Sequence, residues 1–181
     1  YMKLPFLALL VACALATQAA AADAPTPAAV AAFLAANAKK PGVMVQPDGL
    51  QYTVLHSGVG RRAMPSDYAR IAYTGRLIDG TVVDGTSPGL PATLAIGSAI
   101  AGLSEALSMM HEGDRWRLVV PANLAFGAKG AGIVPPNQPL VIDVTLIAAE
   151  TPARFQAETA GSGFSVQGND RQQSLLFTFH P

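Results

Sequence analysis

"YTGRLIDGTVVDGT", residues 73–86, sets two Asp-Gly pairs around a short apolar run. Asp79-Gly80 is a hairpin signal, because Gly accepts positive φ without a Cβ clash and Asp tolerates the same region. Asp84-Gly85 stops the returning strand almost as soon as it starts. The stretch therefore brings Tyr73, Val83 and Asp84 close together at one end of a sheet. On its own pattern, Tyr73 reads as an ordinary sheet aromatic and Asp84 as a turn cap. Only the rest of the chain decides whether they form a site.

On both sides of this hairpin the pattern has period two. "LQYTVLHSG" (50–58), "YARIAYTGRL" (68–77), "ATLAIG" (92–97), "RWRLVV" (115–120) and "LVIDVTLIA" (140–148) all alternate, punctuated by Gly, Pro and Asp. One helical patch interrupts them. In "IAGLSEALSMM" (100–110), Ile100, Leu103, Leu107 and Met110 recur at helical spacing, and Glu112-Gly113-Asp114 closes the run. Strands, one short helix and more strands predict an α+β domain over 49–150, a twisted antiparallel β-sheet wrapped around one short helix. The helix covers the concave side and leaves a small crevice at one end. Trp116 shares a strand face with Leu118 and Val120 and reads as core. Between Pro121 and Pro139, "PANLAFGAKGAGIVPPNQP" is too long for a simple connection. Its Phe126, Ile133 and Val134 are expected to dock.

The ends read differently. "MKLPFLALLVACALATQAAAADAP" from Met2 has one Lys, an apolar core and then small residues, the pattern of a secretory signal peptide over 1–22. Leu4 to Ala16 is 13 residues, short of the roughly 20 that span a bilayer. "LVAC" (10–13) also resembles a lipoprotein box, which offers Cys13 as a lipid anchor. Apolar sequence runs past it through Leu15, so plain cleavage is favoured. Residues 23–48 read as a linker and a short N-terminal helix, with Thr26 as cap, Pro27 in the first turn and Val30, Phe33 and Leu34 on one stripe. Pro41-Gly42 stops it. Residues 151–181 read as a polar C-terminal tail, in which "SLLFTF" (174–179) is the one candidate edge strand.

Composition excludes several chemistries. The signal takes one of the 12 basic residues, Lys3, leaving 11 against 12 acidic and a net charge of −1. With no basic stripe, nucleic acid is not an expected partner. Cys13 is the only cysteine, so no disulfide staples the fold. His56, His111 and His180 have no ligand spacing, so no metal is expected. "GAKGAG" (127–132) is followed by Val-Pro-Pro rather than by the helix a phosphate cradle needs. No nucleophile and base set is evident. An enzyme of this kind makes and breaks no covalent bond and needs no cofactor.

"YTGRLIDGTVVDGT", "AIGSAIAGLSEALSMMHEGDRWRLVVPANLAFG" and "GIVPPNQPLVIDVTLI" resemble the FK506-binding-protein family of peptidyl-prolyl isomerases. "FLAANAKKPGVMVQPDGLQYTVLHSG" resembles the lead-in of its exported bacterial branch, the macrophage-infectivity-potentiator type. The match covers roughly residues 33–149, and it lacks the long helical arm of that branch. The resemblance implies a proline pocket between sheet and helix. It also implies an activity that suits the missing chemistry: cis and trans X-Pro forms differ by only about 0.5–1 kcal/mol, but amide resonance separates them by about 18–20 kcal/mol. A pocket lowers that barrier by gripping the ring, drying the amide and favouring the twisted state. Expected partners are proline-containing polypeptides, in the periplasm or, with an anchor, at the outer membrane.

The resemblance assigns roles residue by residue. Tyr73 matches the pocket tyrosine and Asp84 the acidic residue beside it. Ala99 and Ile100 match the turn whose backbone N–H, at Ile100, binds the substrate carbonyl. Val134 matches an aliphatic wall. Other positions depart in kind: Val83, Ala92 and Ile142 stand where Phe is usual, Leu103 replaces the Trp that floors the pocket, and Phe126 replaces a Tyr. The lost hydroxyl at Phe126 alone is worth about 0.5–1.5 kcal/mol, or about tenfold in rate. The expectation is a slow isomerase that binds FK506 poorly. The alternative is a binding or chaperone module that keeps the fold without catalysis.

Overall fold

The computed structural model describes residues 25–161. The signal stretch, Cys13, the 174–179 run and His180 lie outside them. The chain order is α1 (Pro27–Ala38), β1 (Val43–Val45), β2 (Gln51–His56), β3 (Tyr68–Arg76), β4 (Val82–Gly85), β5 (Ala92–Ala95), α2 (Ala101–Met109), β6 (Arg115–Val120), β7 (Leu140–Glu150) and α3 (Pro152–Gly161). The seven strands form one sheet in the order β1-β2-β6-β7-β3-β4, with β5 paired to β3 beside β4. All pairs are antiparallel. This is the α+β sheet-on-helix architecture that the alternation predicts.

The register explains the core. Tyr73 on β3 pairs with Val144 on β7, which pairs with Trp116 on β6. One step along, Gly75, Ile142 and Leu118 form the next row. Paired residues share a face, so these rows make a continuous apolar surface. Against it lie Leu103, Ala106 and Leu107 of α2, all fully buried. Each buried leucine contributes about 1.5–3 kcal/mol relative to exposure. That burial holds a helix of nine residues with no side-chain cap, which would not persist alone in water. Gly102 lets it close on β6: a Cβ there would meet Val120 Cγ1 at 2.5 Å.

The β3–β4 hairpin forms at Asp79-Gly80 as its sequence requires. Leu77 C=O accepts from Gly80 N–H at 3.0 Å, Leu77 N–H donates to Thr81 C=O at 2.9 Å, and Gly80 has φ +90°. This is a three-residue loop with Gly in the left-handed position.

The N-terminal helix begins as expected, with Thr26 Oγ1 accepting from Ala29 N–H at 3.2 Å and Pro27 in the first turn. Its stripe extends to Asn37, whose Nδ2 donates to Gln51 Oε1 at 2.8 Å, while Gln51 Nε2 donates to Leu34 C=O at 3.0 Å. This buried amide pair ties α1 to β2.

Two elements differ from the sequence reading. β1 lies inside the stretch read as linker and helix, and it pairs with β2 across the "QPDG" turn. Residues 152–161, read as the start of a tail, form α3. Thr151 Oγ1 caps it by accepting from Arg154 N–H at 3.4 Å, and Phe155 stacks on Tyr68 at 4.0 Å. The Thr-Pro start at 151–152 repeats the one at 26–27. Among the described residues no helix is long and apolar enough to cross a membrane.

Candidate active site

Tyr73 and Asp84 meet. The Tyr73 hydroxyl donates to Asp84 Oδ2 at 2.9 Å, and the other carboxylate oxygen accepts from Gly85 N–H at 2.8 Å. The strand register makes this contact available. Asp84 pairs with Gly75, two residues beyond Tyr73, so the phenol crosses a position with no side chain. A bulge supplies the rest. Asp84 pairs with Gly75 and Val82 with Arg76, which leaves Val83 as the extra residue. Neighbours on a regular strand point to opposite faces; at a bulge both turn the same way. Val83 is thus buried beside the half-buried Asp84.

Tyr73, Val83, Ile100, Leu103, Phe126, Val134 and Ile142 all belong to one buried apolar cluster. Tyr73 and Ile142 come from the sheet, Leu103 from the first turn of α2, and Phe126 and Val134 from the 121–139 loop. Ile100 is the residue at which α2 begins; its C=O accepts from Leu103 and Ser104 N–H at 3.0 and 2.9 Å. No acceptor among the described residues takes the Ile100 N–H. Ala99 is half-buried against the cluster and also lines a shallow cleft of about 630 Å³ with Gly97, Ala101, Ser104 and Glu105. Ala92, on β5 opposite Ile71, packs on the same cluster.

The long loop is folded by its own hydrogen bonds. Gly127 N–H donates to Ala122 C=O at 2.7 Å, Asn137 N–H to Gly127 C=O at 2.8 Å, and Ala131 and Val134 exchange a pair at 3.0 and 2.8 Å. Phe126 and Val134 dock, each 3% exposed. Ile133 does not: it is 60% exposed, a correction to the sequence reading. The Ala131–Val134 turn aims adjacent side chains apart, so only one of the Ile-Val pair reaches the core.

Electrostatics near the cluster centre on α2. Glu105 shares a hydrogen bond with Asp48 of the β1–β2 turn; that bond, then burial, then the neighbouring charge push the Glu105 carboxyl up to about 7. Asp48 is held below its usual value by the same bond and by Leu50 N–H, which donates at 3.1 Å. Among the described residues no group of three His, Cys, Asp or Glu side chains could hold a metal ion.

The assembled groups offer a buried apolar cluster, a phenol on a carboxylate and a main-chain donor. None of them is a serine, cysteine or lysine nucleophile. Sequence reasoning missed Thr86, which bonds both main-chain polar groups of Tyr73, and the stacking of Trp116 on Tyr52 at 4.6 Å. Alternation flagged Trp116 as core, but nothing in "DGTSP" marks Thr86.

Comparison with known proteins identifies the family. The family model for FKBP-type peptidyl-prolyl cis-trans isomerase matches residues 60–147, and that for the domain amino terminal to it matches residues 8–54. The outer membrane protein MIP of Legionella longbeachae is 44% identical over 124 residues, 67% of this chain and 53% of that protein. The peptidyl-prolyl cis-trans isomerase Mip of Coxiella burnetii is 45% identical over 121 residues, 66% of this chain and 53% of that protein. A crystal structure of a peptidyl-prolyl cis-trans isomerase from Pseudomonas syringae superposes with a TM-score of 0.65 at 39% identity, covering 71% of this chain and 98% of that one. The chain spans about half the length of the curated relatives it matches.

Proposed function

The chain belongs to the FKBP-type peptidyl-prolyl cis-trans isomerase family, and we propose that it accelerates rotation about X-Pro bonds in exported polypeptides, more slowly than an aromatic-lined pocket would. The prolyl ring seats among Val83, Leu103, Phe126, Val134 and Ile142. The substrate carbonyl accepts from Ile100 N–H beside Ala99. The Tyr73–Asp84 pair borders the ring. Rotation needs no proton transfer. It needs the amide removed from water, which weakens the resonance form with separated charge, and a site that fits the twisted geometry better than either planar one.

The observation that supports this reading is the burial of Tyr73 in one cluster with all six matched apolar residues, with its hydroxyl on Asp84 at 2.9 Å. The reduced rate follows from the lining. Leu103, Val83 and Ile142 keep the proposed seat apolar but offer less surface to the ring than aromatic side chains, and Phe126 has no hydroxyl to donate. The test is proline-limited refolding of a model protein, beside isomerisation of a proline tetrapeptide. Acceleration in both, at a rate below that of an aromatic-lined family member, supports the reading.

A second reading rests on the same aliphatic lining: a module that holds extended chains without catalysing their rotation. Binding of unfolded substrate with no change in the slow refolding phase would select it. For location we propose export directed by residues 2–22, with cleavage near Ala22 rather than acylation of Cys13. The mass of the mature N-terminus from a bacterial host separates the two.

A further inference from the structure

We propose that Thr86 is a positioning residue: it grips both main-chain polar groups of Tyr73 and thereby fixes the phenol on Asp84. The proposal rests on the isomerase reading above. Its starting point is a gap in the sheet. On one edge of β3, β5 pairs residues 68–71 and β4 pairs residues 74–76. Tyr73 falls between the two, where neither strand meets it. It is only 4% exposed, and buried main-chain groups require partners.

Thr86, the residue after β4, closes the gap. Tyr73 N–H donates to Thr86 Oγ1 at 3.0 Å. Thr86 N–H donates to Tyr73 C=O at 2.9 Å, and the Thr86 hydroxyl reaches the same oxygen at 3.3 Å. A hydroxyl is the side-chain group that accepts from an N–H while donating to a C=O. Gly85 makes the approach close enough: a Cβ there would meet Tyr73 O at 3.0 Å and Thr74 Cα at 3.3 Å. The ladder between β3 and β4 has only three pairs and a bulge. The Thr86 clamp therefore sets where β4 ends relative to Tyr73, and with it the reach from phenol to carboxylate.

The test compares Thr86→Val, which keeps shape but loses the hydroxyl, with Thr86→Ser, which keeps it, each with and without Tyr73→Phe. Folding of every variant is checked by thermal melt. Thr86→Val should lower kcat/KM about tenfold, the effect of one lost hydrogen bond, and Thr86→Ser should stay within about twofold of the parent. In the Tyr73→Phe background, Thr86→Val should cost nothing further, because no phenol remains to be aimed. Equal losses in both backgrounds, or a serine variant as poor as the valine one, would overturn the role. If the parent chain proves inactive, the isomerase reading fails, and the clamp is judged by the Tyr73 ring signals in NMR. Thr86→Val should shift and broaden them while Thr86→Ser leaves them in place, and an unchanged Thr86→Val ring refutes the clamp.

Discussion

The Tyr73 hydroxyl sits 2.9 Å from Asp84 Oδ2, across a strand position that Gly75 leaves without a side chain. A bond from a neutral donor to a carboxylate is worth about 1.5–3 kcal/mol. Tyr73→Phe deletes it while leaving the ring in the core, so the fold should survive and kcat/KM for a proline tetrapeptide should fall about tenfold or more. Asp84→Asn keeps an acceptor but loses the charge and should fall less. A Tyr73→Phe variant as fast as the parent would remove this pair from the mechanism.

Leu103 sits fully buried in the first turn of α2, at the position where the family resemblance implies a Trp. Leu103→Trp adds volume to a packed cluster, an overpacking that costs about 1–3 kcal/mol. On the proposed reading it also supplies a flat floor for the prolyl ring. The expected result is a lower melting temperature together with faster isomerisation and tighter FK506 binding, measured by calorimetry. A folded variant with no gain in either would show that the floor is not what limits the parent.

Gly102 lies in the first turn of α2, where helix propensity alone favours alanine by at most about 1 kcal/mol. Packing reverses the sign. The new Cβ would lie 2.5 Å from Val120 Cγ1 and 3.4 Å from Leu124 Cβ. The resulting strain, about 1–3 kcal/mol, outweighs the propensity, so Gly102→Ala should shift the urea midpoint downward. Adding Val120→Ala should recover part of the loss by making room. A stabilised Gly102→Ala would mean that α2 can move off β6 without penalty.

The fold was legible because its signals are periodic. Alternation through Ile71, Tyr73 and Gly75 and the helical spacing of Leu103 and Leu107 each report burial directly. The turn at Gly80 is legible for the same local reason. The site was legible only through the resemblance. Nothing in the alternation distinguishes Tyr73 from Tyr52, and the Val83 bulge that turns two neighbours inward is a property of pairing, which a strand pattern does not encode. Ile133 and Val134 are equally apolar, and only the turn geometry decides which one docks. Nothing in the sequence marks Asn37 or Gln51 until the fold brings the two amides together. Capping chemistry was present but unread at Thr151-Pro152, because the polar composition beyond it masked a start identical to that of α1.

Glu105 and Asp48 share a hydrogen bond between α2 and the β1–β2 turn, and this makes stability depend on pH. The folded-state pKa of Glu105, about 7, lies above its ordinary value of 4.5. Between those values the native chain binds more protons than the unfolded chain, so stability falls as pH rises. The contribution is complete below pH 4.5 and gone above about pH 7. Asp48 works in the opposite sense, because its value is depressed from 3.8; its contribution is present above that value and is lost only on further acidification. Across the window of Glu105 it is therefore constant. Glu105→Gln donates to Asp48 at every pH and should remove the dependence. Urea midpoints at pH 5 and pH 8 are the check. The parent should lose stability relative to Glu105→Gln at the higher pH, by a modest amount because the pair is near the surface, and parallel midpoints would show that the two side chains do not share a proton.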